Sequence, residues 1–357
     1  GIEMSTLKIG IIGLQHLHPR SYMPLFDAVD ETEVISVAEP DDSLRKAFEK
    51  DFGLKGHDSW EKMIDKESLD LAAVFLPHVD CPDAAVACAD KGIHLIVEKP
   101  IAADLEGAKR IVAAVDKAGV KLSAPYTWRY HPVSREMKRL IDAGTLGHVV
   151  GCEGRCAAGR VQRYIDGHAG WMLQKAKSGG GPMYNLGVHW IDLYRWLLDD
   201  EVETVQAHNV KVNAEFDIED NSFALLTFRC GTVVALDISY TVPDSYPYGR
   251  DLSLGLRGTR GVLSWSPSFE GVRETLFVCS DSDEFADSPR RNVQFELESA
   301  PGYCGILGVH YIRDVARCII DGRPVFIDGQ DAVEALKVVE AVYKAAETGR
   351  TVSLRNG

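Results

Sequence analysis

No apolar run in this 357-residue chain approaches the ~20 residues that cross a bilayer, so no membrane span is expected. Positive charge is also scarce. Thirty-nine lysines and arginines face 53 acids, a net charge of −14. That balance argues against nucleic acid or an anionic membrane as a partner. It leaves room for a small anionic ligand, because a helix N-terminus holds phosphate locally. The eight cysteines include no Cys-x-x-Cys pair. Cys152 and Cys156 stand four apart in a strand-like segment and share a face, a spacing that suits packing better than a metal. Scattered free thiols point to a reducing compartment, the cytoplasm. No secretory leader is visible, since the first apolar stretch is a short strand flanked by glycines. Gly1-Ile2-Glu3, ahead of Met4, is set aside from fold reasoning. Repeats and low-complexity segments are absent.

Hydrophobic residues make up 45% and charged residues 26%, ordinary values for a globular enzyme. Strand signals at 7–12, 33–38, 69–76, 94–98 and 120–124 alternate with helical ones at 13–29, 42–52, 82–91 and 104–118. Such alternation means parallel βαβ units and a doubly wound sheet. Pro24 should kink or interrupt the first helix. After a helix at 131–143, strands dominate. Segments 223–228 and 232–240 flank Cys230-Gly231 as a hairpin, and 251–256, 261–265, 275–279 and 292–298 extend the series. Helices are expected at 185–198, 307–320 and 331–348, and 281–291 reads as an exposed polar loop. The fold class is therefore α/β. Residues 4–125 form the nucleotide-binding domain, and 126–357 form an α+β domain with a large, mainly antiparallel sheet.

A dinucleotide fingerprint places glycines in the first strand-to-helix turn, for the tight turn and for close approach of the pyrophosphate. Here Gly13 serves as the first glycine, but Gln15 and His18 stand at the next two positions. Glu39 ends the second strand, where a carboxylate accepts from ribose hydroxyls and repels a 2′-phosphate. NAD is therefore favoured over NADP. No arginine follows at once, since Pro40-Asp41-Asp42 is acidic.

Two motifs carry the chemistry. Glu98-Lys99-Pro100 places a lysine at the carboxyl end of a parallel strand, where open α/β sheets bind ligands. The run from Gly179-Gly180-Gly181 through Asn185, His189 and Asp192 opens a helix, and positions i, i+4 and i+7 share one face of it. A lysine and a histidine beside a nicotinamide would handle the hydroxyl proton while the cofactor takes hydride. Eleven histidines raise the question of a metal. His16 and His18, two apart, would not share a helix face, and the others are scattered, so no metal is expected.

These motifs, with Val37-Ala38-Glu39-Pro40-Asp41, Arg129-Tyr130-His131-Pro132 and Gly349-Arg350-Thr351-Val352, resemble the Gfo/Idh/MocA family of glucose–fructose oxidoreductases and inositol dehydrogenases over nearly the whole chain. The resemblance implies a Rossmann domain and NAD-linked chemistry at a hydroxyl carbon of a sugar, cyclitol or related polyol. It also implies a homodimer or homotetramer built through the C-terminal sheet. Lys99 matches the family's catalytic lysine and His189 its catalytic histidine. Asn185 stands where many members carry aspartate. Arg129, Tyr126, Asp192, Trp171 and His168 fall at substrate-side positions. Gly13, Gln15, His16, Glu39, Pro77, His78, Glu98 and Lys99 fall at the cofactor. Cys81 and His78 replace residues common in the family. A lyase or glycosidase using transient oxidation by retained NAD, or a non-catalytic sensor, are the alternatives.

Overall fold

Six short strands build the first sheet: β1 (Leu7–Ile12), β2 (Thr32–Ala38), β3 (Lys55–His57), β4 (Leu71–Val74), β5 (His94–Val97) and β6 (Leu122–Ser123). The computed structural model describes residues 5–268 and 272–355. Gly1-Ile2-Glu3, Met4, where the nucleotide-binding domain is expected to start, and the last two residues lie outside them. The strands pair in parallel in the order β3-β2-β1-β4-β5-β6. β4 is Leu-Ala-Ala-Val, buried at every position, as a strand covered on both faces must be. The order reverses between β1 and β4, so the ligand crevice of this sheet lies past their carboxyl ends.

The helices between these strands begin where the sequence signals them. Asp41 caps Asp42–Phe52 by accepting from the Leu44 N–H at 3.0 Å, and Asp104 caps Leu105–Ala118 through the Gly107 N–H at 2.7 Å. β3 and the helix Trp60–Lys66 escape the sequence reading, being too short to show a period. The first helix differs from expectation in its start. It spans Pro19–Asp27, and 13–18 is an irregular turn. Pro19 at its first position suits a helix start, because the missing N–H is one no helix would use. Pro24 is carried inside this helix, forgoing a single backbone bond, rather than ending it.

The second sheet has nine strands, β7 (Val149–Ala158), β8 (Val202–Val210), β9 (Asn221–Phe228), β10 (Val233–Ser239), β11 (Arg250–Gly258), β12 (Gly261–Trp265), β13 (Arg273–Ser280), β14 (Arg290–Glu296) and β15 (Val352–Ser353). Their order is β14-β13-β12-β11-β7-β10-β9-β8-β15, antiparallel throughout except between β7 and β10. The β9–β10 hairpin appears as expected. Burial alternates along β9 and β13, so one face is covered and the other open. The helix Val188–Leu198 lies on the covered face. Trp190 Nε1 donates to the Arg155 carbonyl at 2.9 Å, and Gly154 leaves the space that Trp190 fills. Cys152 and Cys156 face the same way and are buried, as their spacing implies. The expected loop 281–291 holds a short helical turn, Asp283–Phe285, whose Phe285 is buried, and it ends inside β14.

By internal contacts the chain forms two compact units. One is the chain up to Thr127 with Gln162–Gly179 and Ala300–Leu336. The other is Trp128–Val161, Gly180–Ser299 and the chain from Lys337. Two later segments that the sequence analysis assigned to the C-terminal domain thus pack with the parallel sheet.

His131 closes the second unit's aromatic core. Its Nδ1 accepts from the Val133 N–H at 3.1 Å and caps the helix Pro132–Asp142, while its ring lies 4.5 Å from that of Trp265. Burial pushes its pKa down to about 3, so the native state keeps it neutral. The unfolded chain protonates the same ring below about 6.5. Stability therefore falls as pH drops from about 6.5 towards 3. Asparagine keeps a capping oxygen but cannot titrate. His131→Asn should reduce the stability lost between pH 7 and 5 by about 2 kcal/mol, read from urea melts at both pH values.

Candidate functional site

At the carboxyl end of β1 the backbone of Gly13 has φ +89°, and a Cβ there would stand 3.2 Å from the Leu76 nitrogen. Only glycine makes this turn without strain. The turn is then tied to the end of β2 by Glu39. The Leu14 N–H donates to Glu39 Oε1 at 2.9 Å, and Gln15 Nε2 and the Asp41 N–H donate to Oε2 at 3.2 and 2.8 Å. Glu39 is 1% exposed. The acid expected to receive ribose hydroxyls is thus engaged by the turn itself. An arginine outside every motif stands beside it: Arg45 Nη1 donates to the Glu39 carbonyl at 2.7 Å, and the guanidinium also pairs with Asp42.

Trp171, expected on the substrate side, donates its indole N–H to the Gln15 carbonyl at 2.5 Å. His168 is exposed in a turn at φ +60°. Tyr126 is buried after β6.

His16 and His18 come together after all. Two apart on a helix they would diverge, but 13–18 is an irregular turn. Their rings are 4.7 Å apart. His16 Nδ1 accepts from the His18 N–H at 3.0 Å, and His18 Nδ1 meets Glu98 Oε2 at 2.9 Å. Potential ligand atoms of these three residues lie within 4.8 Å of one another. These bonds tie the turn after β1 to the end of β5.

Burial by itself would raise the Glu98 carboxyl. The charges of His18, His16 and Lys99, with the His18 hydrogen bond, overcome it and hold the pKa at about 2. Burial, reinforced by His18, drives His16 well below the usual imidazole range. His78 follows the half-buried Pro77 at the end of β4. Its Nδ1 lies 2.7 Å from the Ser178 carbonyl, which can only accept, so Nδ1 carries the proton. Burial lowers its pKa to about 4. Its Nε2 is buried with no hydrogen-bond partner among the described residues, and its ring stands edge-on to Trp171 at 4.7 Å. Lys99 is buried too, its backbone N–H donating to Glu98 Oε1 at 3.3 Å. Gly13, Gln15, His16, Glu39, His78, Glu98 and Lys99 therefore gather at the crevice end of one sheet.

In the second unit, side chains explain the glycine run. A Cβ on Gly180 would strike the Tyr343 hydroxyl, and one on Gly181 the Glu219 carbonyl. The Gly181 N–H donates to Tyr343 Oη at 2.8 Å and to Glu219 Oε1 at 3.1 Å. Glu219 and Tyr343 carried no motif that would have singled them out. The segment after these glycines departs from regular helix. Met183–Gly187 winds as a π-turn before Val188–Leu198 continues as α-helix. Asn185 and Asp192 are buried, and His189 is half-buried. Asp192 takes a bidentate pair from Arg129, Nε to Oδ2 at 2.8 Å and Nη2 to Oδ1 at 2.6 Å. Both side chains are almost wholly buried. Two residues expected to face substrate thus satisfy each other inside this unit.

A family described as oxidoreductases with an NAD-binding Rossmann fold matches residues 7–126, and the GFO/IDH/MocA C-terminal domain matches 134–264. The chain belongs to the Gfo/Idh/MocA oxidoreductase family. Among curated relatives, it is 23% identical over 358 residues to D-xylose 1-dehydrogenase (NADP(+)) 2 of Haloferax volcanii, covering 98% of this chain and 100% of that one. It is 25% identical over 360 residues to myo-inositol 2-dehydrogenase of Thermotoga maritima, covering 98% of both. Its fold matches the WlbA dehydrogenase of Bordetella pertussis, solved with NADH and UDP-GlcNAcA, at a TM-score of 0.80, 23% identity, and 98% and 99% coverage. As a Gfo/Idh/MocA member it joins a parallel nucleotide-binding sheet to a large mixed sheet, as the resemblance implies.

Removing one partner of a buried ion pair strands the other charge. Arg129→Ala should cost about 3–5 kcal/mol of stability, a large drop in melting temperature. A residue serving substrate alone would change KM and leave the melting temperature in place.

Proposed function

We propose that this chain is an NAD-dependent oxidoreductase acting at a hydroxyl carbon of a sugar, cyclitol or related polyol. The observation that carries this is the crevice end of the parallel sheet. The left-handed Gly13 turn, the Glu39 strand end and Glu98-Lys99 stand together there. The residues present fit a dinucleotide: Gly13 leaves the backbone bare, the helix Pro19–Asp27 begins just beyond, and the buried Nε2 of His78 offers an acceptor with no other use. Relatives named as xylose and inositol dehydrogenases support a polyol substrate.

NAD, when bound, supplies the hydride acceptor. Lys99 and His189 are the residues we assign to the hydroxyl proton, Lys99 as donor to the reacting oxygen and His189 as general base. Asn185, neutral where many members are acidic, hydrogen-bonds a substrate hydroxyl. The Arg129–Asp192 pair serves as scaffold, and the nucleotide role falls to residues 4–125. The open face of the second sheet exposes Phe223, Leu225, Val233 and Phe277, which supports a homodimer or homotetramer through that face. The free thiols support a cytoplasmic setting.

Calorimetry should show NAD binding to stripped protein, and a sugar and cyclitol panel should yield NADH with one class of polyol. Lys99→Met and His189→Asn should each lower kcat about 10²–10⁴-fold. Product formed without NADH would instead place the chain with the lyases and glycosidases. No dinucleotide binding at millimolar concentration would overturn the reading.

A further inference from the structure

We infer that Gln15 controls dinucleotide selection in this chain, because its carboxamide competes with the ribose for Glu39. The inference rests on the NAD reading above and goes on to name the residue that tunes it.

Three donors converge on the Glu39 carboxylate. Two are backbone N–H groups, of Leu14 and Asp41, and the fold holds them in place. The third is the Gln15 carboxamide, whose bond to Oε2 is the longest of the set at 3.2 Å. Gln15 is exposed while Glu39 is 1% exposed, so the amide is the lid on a buried acid. Its backbone is fastened separately, by the Trp171 indole N–H on its carbonyl at 2.5 Å. The side chain can therefore swing without the turn moving. A glycine at this fingerprint position has no side chain to place there.

Adenine ribose hydroxyls and a glutamine amide offer the same thing to a carboxylate, an N–H or O–H donor. The ribose diol gains Glu39 only by displacing Gln15, so NAD binding is weakened by the bond it breaks. The same cap changes discrimination. A bare carboxylate repels the 2′-phosphate of NADP. A carboxylate covered by an amide repels it less, and a released amide donates to phosphate oxygens. Arg45, on the Glu39 carbonyl and paired with Asp42 and Glu49, stands at the same strand end. The chain therefore accepts NADP alongside NAD, and loss of the Gln15 side chain makes it strict for NAD. Gln15 has no left-handed φ, so alanine as well as glycine fits its backbone.

The test is calorimetric titration of full-length wild type, Gln15→Ala and Gln15→Gly with NAD and with NADP, melting temperatures confirming the fold. Both variants should bind NAD about tenfold more tightly, the effect of a net hydrogen bond to a charged group, with NADP unchanged or weaker. In a Glu39→Gln background, Gln15→Ala should leave NAD affinity unchanged, since no charged acid remains to uncap. NAD affinity unchanged or lowered in both single variants overturns the inference. If wild type binds neither dinucleotide, the proposed function fails, and the inference is still decided. Variants that gain NAD binding support it, and variants that gain none sink it.

Discussion

A carboxylate removed from water persists only where its oxygens find donors, and this chain uses that constraint to hold its loops. Glu39 draws the turn after β1 onto the end of β2. Glu98 draws the same turn, through His18, onto the end of β5. Glu219, half-buried, takes the Gly181 N–H and the Tyr343 hydroxyl, and buried Asp192 takes the Arg129 fork. Each acid sits beside a segment with no ladder of its own to fix it. An uncompensated carboxylate in such a place costs several kcal/mol, so the loop and the acid are ordered together or not at all. Part of the chain's acidic excess is thus structural and buried.

Neutral imidazoles accompany these acids. Burial lowers the pKa values of His16, His78 and His131, while His18 and His57 meet carboxylates directly. The pattern is coherent. A base kept neutral by burial can accept or donate at a fixed nitrogen, as His16 accepts from the His18 amide and His78 meets the Ser178 carbonyl. Such fixed tautomers give the crevice end of the parallel sheet a defined set of donors and acceptors, which a flexible, solvated histidine would not.

The repeating features were legible in advance. The alternation of strands and helices through 124, the β9–β10 hairpin and the shared, buried side of Cys152 and Cys156 all follow from periods and local propensities. Features whose cause is remote in the chain were not. The helix expected from Gly13 begins at Pro19, and the freed turn brings His16 to His18 and His18 to Glu98. The π-turn at Met183–Gly187 interrupts the regular helix expected from Asn185. Trp171 reaches back to Gln15, 156 positions earlier.

Sequence alone determined the family, the two sheet types and the positions of the Glu98-Lys99-Pro100 and Gly179-to-Asp192 motifs, because these rest on local order and on residue types at short spacing. Tertiary structure alone decided what each polar group touches. Glu39 belongs to the turn, Asp192 to Arg129, and Glu219 to the glycine run. The reason is that a buried charge takes whichever donor the fold brings within about 3 Å, and no period in the chain records that distance.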